Sequence, residues 1–259
     1  MSVVHFYKYQ AAGNDFLLVD NRKGDLSFSS DQVAALCDRR FGIGADGIIL
    51  LNTDPHADFR MVYRNADGSE SFCGNGCRAI VHFAHQLGHV GDVTHFVAHD
   101  GPHRAEILPD GNIRVSLLDV PAPVQHGPDD FFMHTGTEHH VRFVAGLDDY
   151  PVVAEGRKVR YNQALYPRGA NVNFLERQND KVAFRIYERG VEDETLSSGS
   201  GATACALLAA TRFQLPSPVL IRARGGFLLV EFKRQPDGSF TGVHFIGPAQ
   251  LVFETRLDL

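Results

Sequence analysis

Part of this 259-residue chain occurs in it twice, and that repeat constrains the fold more than any other feature. Phe59-Arg60-Met61 through Cys73-Gly74-Asn75-Gly76 to Ala84 lies over Phe184-Arg185-Ile186 through Ser198-Gly199-Ser200-Gly201 to Ala209 without a gap, at an offset of 125 residues. Identical residues pair at Phe59/Phe184, Arg60/Arg185, Arg64/Arg189, Gly74/Gly199, Gly76/Gly201, Ala79/Ala204 and Ala84/Ala209. At nearly the same spacing, Gly13 to Val19 matches Thr137 to Val144, each a polar tip running into a strand-like apolar segment. Two unrelated strand-loop-helix units would not keep both glycines and both arginines in register, so duplication is the better reading. It predicts two pseudo-equivalent domains, 1–120 and 121–249, divided near Val120-Pro121-Ala122-Pro123, with the C-terminal strand 250–259 packing with the first.

Within each half strands and helices mix, which makes the fold class α+β. Alternating or β-branched runs at His5 to Tyr9, Phe16 to Asp20, Asn112 to Leu118, Val219 to Arg222 and Phe227 to Phe232 read as strands. Ser29 followed by Gln32 forms a capping box that opens a helix over Val33 to Arg40. Gly76 to Leu87 and Gly201 to Phe213 are alanine-rich and of helical length, and the second is apolar nearly all round, as a buried helix would be.

Composition narrows the function classes. Lys plus Arg number 25 against 31 Asp plus Glu, net −6, so bulk charge offers no basic face to a phosphate backbone and nucleic acid is not an expected partner. Apolar runs such as Gly47 to Leu51 and Ala202 to Ala210 fall short of the roughly 20 residues a membrane helix needs. The start, Met1-Ser2-Val3-Val4-His5, has neither a basic segment nor an apolar signal core, so a cytoplasmic location without membrane attachment is expected. The cysteines Cys37, Cys73, Cys77 and Cys205 do not suggest a disulfide framework in such a chain.

The two glycine loops each stand where a helix begins. A helix N-terminus offers unpaired NH groups and partial positive charge, and glycine lets a carboxylate approach that backbone closely; the bland alternative is a tight turn needing positive φ. One loop carries Cys73 and the other Ser198 at the same position. A thiol at a helix N-terminus has a lowered pKa, which makes Cys73 the best candidate nucleophile or base, whereas Cys37 and Cys205 sit among Ala and Leu like small core residues. Cys77, His82 and His85 follow on the same helix, but a straight helix holds that His pair beyond zinc reach of the cysteines, so no metal is expected. Glu188-Arg189 and Arg64-Asn65 each end a strand, which suits a zwitterionic amino-acid group through Arg to carboxylate and Glu to ammonium. Solvated surface pairs are the alternative there, and Asn14, Asn65 and Asn171 serve equally well as turn residues.

Gly13-Asn14-Asp15-Phe16, Gly42-Ile43-Gly44-Ala45-Asp46-Gly47, Asn65-Ala66-Asp67-Gly68-Ser69-Glu70, Cys73-Gly74-Asn75-Gly76, Asn171-Val172-Asn173-Phe174 and Glu188-Arg189-Gly190-Val191-Glu192-Asp193-Glu194-Thr195-Leu196 together resemble the diaminopimelate epimerase family. The resemblance implies a cofactor-independent isomerase, with no pyridoxal phosphate, that inverts one α-carbon of LL-2,6-diaminoheptanedioate to the meso form for lysine and cell-wall synthesis. It also implies two similar domains closing over an active site in the cleft between them, and a homodimer. By resemblance, Cys73 is one of two acid/base residues and Ser198 stands in place of the second, which in the family is a cysteine. Gly74, Asn75, Gly199 and Ser200 would hold the reacting α-carboxylate, and Asn65, Asn171, Glu188 and Arg189, with Asn14 nearby, the distal amino-acid end. A second departure is Glu138, where the family usually has proline before a histidine, here His139; that histidine is a possible auxiliary to Ser198. A serine hydroxyl is a far weaker acid and base than a thiol near neutral pH, which keeps two other readings in view. One is a racemase or one-base isomerase of another amino acid, such as histidine, on the scaffold shared with phenazine-biosynthesis isomerases and proline racemases. The other is a non-catalytic amino-acid binder, or a variant disabled at Ser198.

Overall fold

The structure, a computed structural model, describes residues 3–178 and 181–259. It divides into two compact units, Met1–Val115 with Gly247–Leu259, and Ser116–Ile246.

The first unit runs β1 (Val3–Ala11), β2 (Asn14–Asp20), α1 (Ser30–Cys37), β3 (Gly47–Asn52), β4 (Phe59–Asn65), α2 (Gly74–Gln86), β5 (Val93–Ala98), β6 (Gly101–Ile107) and β7 (Ile113–Ser116). The C-terminal strand, Gln250–Asp258, returns to pair antiparallel with β1. From there each strand pairs with the next, antiparallel except at β2–β3 and β4–β5, which are parallel. The two-residue β1–β2 turn has Ala12 at φ 55 and Gly13 at φ 83, the left-handed pair that matches strand twist in a tight hairpin. It delivers Asn14 at the first position of β2.

The second unit contains β8 (Val124–Gln125), β9 (Asp130–His134), β10 (Glu138–Phe143), α3 (Val152–Arg160), β11 (Asn171–Gln178), β12 (Lys181–Glu188), β13 (Asp193–Thr195), α4 (Gly199–Phe213), β14 (Val219–Ala223), β15 (Gly226–Arg234) and β16 (Phe240–Gly247). Its pairing repeats that of the first. β9–β10 is antiparallel, β10–β11 parallel, β11–β12 antiparallel, β12–β14 parallel, and β14–β15 and β15–β16 antiparallel. Helices α2 and α4 begin 125 residues apart, the offset of the sequence repeat. Both units are therefore α+β and share one duplicated topology.

The local signals explain most boundaries. Ser29 and Gln32 make the reciprocal capping bonds, Ser29 N–H to Gln32 Oε1 at 2.8 Å and Gln32 N–H to Ser29 Oγ at 3.2 Å. Helix α1 ends at Cys37 rather than Arg40, because Asp38 turns extended and its Oδ1 accepts from Arg40 N and Phe41 N at 2.7 Å each. Residues 112–118 shorten to β7 because Asn112 is bound to Asp110 in the preceding turn. Val33, Leu36 and Cys37 bury the inner face of α1 against Phe6, Leu17 and Ile48. Helix α4 is buried without interruption from Gly201 to Ala210, as its all-round apolar sequence requires.

Candidate active site

Helices α2 and α4 open alike. Cys73 is the N-cap of α2 at φ −137, ψ 104, and its Sγ accepts from Gly76 N at 3.4 Å. Ser198 is the N-cap of α4 at φ −140, ψ 126, and its Oγ accepts from Gly201 N at 3.2 Å. Each helix starts two residues before the expected point, so these two residues are capping side chains, and Gly74, Asn75, Gly199 and Ser200 form the first turns. NH groups of a first turn have no intrahelical acceptor and carry the positive end of the helix dipole.

None of these four loop glycines has positive φ, so a left-handed turn is not their reason. The second of each pair is required by packing. A Cβ on Gly76 would stand 2.9 Å from Met61 Cε and 3.0 Å from Ile49 Cδ1, and one on Gly201 would stand 2.6 Å from Asn173 Oδ1 and 3.0 Å from Ile186 Cδ1. Glycine at these positions lets the helix start lie directly on the strands beneath it.

Around Cys73 the first unit builds a polar network. Asn14 Oδ1 accepts from Asn75 Nδ2 at 3.3 Å and lies 3.7 Å from Cys73 Sγ, while Asn14 Nδ2 donates to Asp46 Oδ2. Arg39 holds Asp15 and Asp46, and Lys8 holds Asp15 and the Gly44 carbonyl. Burial works against the Asp15 charge, but hydrogen bonds from Arg39 and Lys8 outweigh it and hold that carboxyl at about 2. Asp46 is pushed up by its burial and by Asp15 beside it. One turn into α2, fully buried Arg78 donates to Asn75 Oδ1 at 3.0 Å and to the Pro248 carbonyl at 3.1 Å. Burial pulls its guanidinium down to about 10, against the attraction of the Cys73 and Cys77 sulfurs. Asn65 spends its amide on its own turn, donating to Ser69 O, Ser69 Oγ and Ser71 Oγ at 3.0 to 3.1 Å.

Around Ser198 the second unit places a chain of hydroxyls ending on a buried imidazole. Ser198 Oγ and Ser200 Oγ are 3.4 Å apart, Ser200 Oγ and Thr137 Oγ1 3.4 Å, and Thr137 Oγ1 and His139 Nε2 2.9 Å. The Asn173 amide nitrogen donates to the His140 carbonyl at 2.9 Å and lies 3.1 Å from His139 Nδ1, so Nδ1 accepts. Burial pushes His139 down to about 3 and keeps it neutral. The proton is therefore on Nε2, and the chain runs from His139 through Thr137 and Ser200 to Ser198. With Gly201 N and Ser200 both donating to Ser198 Oγ, its own hydrogen is left for an outside acceptor.

Glu188 Oε2 accepts from Thr195 Oγ1 at 2.7 Å, and Arg189 N donates to Asn171 Oδ1 at 2.9 Å. Asn171 Nδ2 reaches Thr137 Oγ1 and the Glu138 carbonyl, joining the distal residues to the Ser198 chain. Cys37, Cys77 and Cys205 are buried, and their thiols are pushed up by desolvation. His82 turns to Tyr9 Oη at 3.3 Å. Among the described residues no group of three or more His, Cys, Asp and Glu stands together as a metal site, and no helix is long and apolar enough to cross a membrane. Sequence reasoning missed Arg78, and it missed the roles of Asp46, Arg39 and Thr137. The Gly42–Gly47 motif was the one available signal, placing Asp46 between glycines.

A family model described as diaminopimelate epimerase matches residues 6–119 and 131–252. The diaminopimelate epimerase of Flavobacterium psychrophilum is 44% identical, over 97% of this chain and 99% of the relative. That of Chlorobaculum tepidum is 40% identical, over 96% and 99%. Among solved structures, a phenazine biosynthesis protein of the PhzF family from Bacillus anthracis superposes with a TM-score of 0.74 at 14% identity, covering 100% of both chains. A probable proline racemase from Agrobacterium radiobacter gives 0.73 at 13%, covering 99% of this chain and 93% of the other. These distant structures share the duplicated fold. With full-length relatives at this identity and a family model spanning both units, the chain belongs to the diaminopimelate epimerase family.

Proposed function

We propose that this chain inverts one α-carbon of LL-2,6-diaminoheptanedioate to the meso form by cofactor-independent proton transfer, in lysine and cell-wall precursor synthesis. The observation that carries the proposal is the pair of equivalent helix N-caps, Cys73 and Ser198, each accepting from the NH three residues on. Inversion removes a proton from one face of a carbon and returns one to the other. We assign removal to the Cys73 thiolate and delivery to the Ser198 hydroxyl.

The α-proton of an amino acid is weakly acidic, so charge developing on the adjacent carboxylate must be stabilised. First-turn NH groups at Gly74, Asn75, Gly199 and Ser200 are donors suited to that task. Delivery from Ser198 leaves an alkoxide, which keeps hydrogen bonds from Gly201 N and from Ser200, the latter backed by Thr137 and His139. Water then returns the proton to Ser198, and the Cys73 thiol releases its proton to solvent, which closes the cycle. Asn65, Asn171, Glu188 and Arg189, with Asn14, read the distal amino-acid end, and the active form is a homodimer.

Ser198 in place of a thiol favours a second reading, exchange or isomerisation by Cys73 alone on another amino acid. Chiral chromatography of LL-diaminopimelate after incubation with the protein, beside histidine and proline, separates the two. Conversion of LL-diaminopimelate to the meso form is expected; turnover of histidine or proline with none of diaminopimelate would replace the proposal with the second reading.

A further inference from the structure

Glu138 places its two carboxylate oxygens on two different arginines. Oε2 accepts from Arg189 Nη1 at 2.7 Å and Oε1 from Arg168 Nη2 at 2.7 Å. Arg189 Nη1 also donates to the Gly169 carbonyl at 3.0 Å, with the Arg168 carbonyl at 3.5 Å. That nitrogen is thus fixed from several sides, while Nε and Nη2 of the same guanidinium hydrogen-bond to no described residue. The backbone beneath is fixed as well, Arg189 N on Asn171 Oδ1 and Asn171 Nδ2 on the Glu138 carbonyl. Burial works against the Glu138 charge, but the two arginines outweigh it and hold the carboxyl below its ordinary range.

The charges do not cancel. One anion lies between two cations, so the cluster keeps one net positive charge and one open guanidinium edge. Such an edge matches a carboxylate in bidentate geometry. An arginine fixed before the ligand arrives loses less rotamer freedom on binding than a mobile one.

We propose that Glu138 is a positioning and specificity-determining residue. It is an internal carboxylate that grips one nitrogen of Arg189 and presents the remaining edge to the distal carboxylate of the substrate, while Arg168 offsets the Glu138 charge that would repel that carboxylate. The proposal rests on the role given to Arg189 above. A plain competitor for Arg189 would need no second arginine; the Arg168 pair is what makes the Glu138 charge tolerable beside an anionic ligand.

The test is calorimetric binding of LL-diaminopimelate and of L-lysine, which lacks only the distal carboxylate when its α-carbon occupies the reacting position, to the full chain. Wild type is expected to prefer diaminopimelate. Glu138→Gln keeps the shape and removes the charge, and should weaken diaminopimelate about tenfold with little change for lysine, KM rising more than kcat falls. Arg168→Gln should also lower the preference, more at low salt than at high salt. An unchanged diaminopimelate-to-lysine ratio in Glu138→Gln, or tighter diaminopimelate binding, would overturn the proposal and leave the epimerase reading standing. A wild type with no preference for diaminopimelate would instead remove Arg189 as the distal reader, and this proposal with it. Should Glu138→Gln fail to fold, Arg168→Gln decides: a salt-dependent loss of preference supports the clamp and an unchanged preference overturns it.

Discussion

Replacing Ser198 with cysteine should raise epimerisation. The backbone at Ser198 differs from that at Cys73 by only 3° in φ and 22° in ψ (−140, 126 against −137, 104), so a thiol here inherits the geometry of the existing one. Gly201 N remains a donor to it, as Gly76 N is to Cys73 at 3.4 Å. The change replaces an acid that cannot be brought near neutrality with one that a helix N-terminus can bring there. A positioned acid or base typically contributes about 10²- to 10⁴-fold, and each tenfold is about 1.4 kcal/mol of barrier. Serine already supplies part of this, so the lower end is expected, about 10²-fold or about 2.7 kcal/mol. Circular dichroism or a coupled assay for meso-diaminopimelate reads the rate directly. An unchanged or lower rate in Ser198→Cys, with the fold intact, would refute the assignment of Ser198 as the weak acid of the pair.

Alkylation with peptide mapping should label Cys73 first, because it alone of the four thiols is part-exposed and the other three are buried with raised pKa; first reaction at Cys37 or Cys205 would contradict this. His139 and His140 are pushed down by burial to about 3 and about 4. The unfolded chain binds protons near pH 6.5 that the folded chain refuses, so stability falls as pH drops below 6.5 toward those values. Urea unfolding should show about 2 to 3 kcal/mol less stability at pH 5.5 than at pH 7.5, and equal stability at both would count against neutral buried imidazoles. Removing the distal carboxylate from the substrate forfeits a charge-assisted hydrogen bond of about 1.5 to 3 kcal/mol, so kcat/KM should fall roughly ten- to hundredfold. Comparable values for proline and diaminopimelate would contradict the role of Arg189.

Features carried by neighbouring residues were legible in the sequence. Ser29 and Gln32 announced the start of α1, and the apolar periphery of α4 announced its burial. The 125-residue repeat located both helix starts to within two residues and announced the duplicated topology. What was not legible depends on pairs distant along the chain. Asp46 meets Asn14 across 32 residues, and Glu138 meets Arg189 across 51, and no periodicity encodes such partners. Arg78 was missed for a related reason. A charged residue within an alanine-rich helix reads as a solvent face, and only the fold shows that its partners are Asn75 and the Pro248 carbonyl. The glycines were legible as a motif but misleading as to cause, since Gly76 and Gly201 answer to Met61, Ile49, Ile186 and Asn173 packed beneath them.

The central claim is that Cys73 removes an α-proton and Ser198 delivers one. It is tested most directly by incubating the protein with LL-diaminopimelate in deuterated water and following deuterium uptake and stereochemistry at the α-carbon together. A thiol exchanges its proton with solvent readily and a serine hydroxyl delivers its own slowly. The α-hydrogen of recovered LL substrate should therefore exchange faster than meso product forms, every meso molecule should carry deuterium at the inverted carbon, and Cys73→Ala should abolish both processes. Inversion without deuterium in the product, or exchange and inversion that persist in Cys73→Ala, would contradict it.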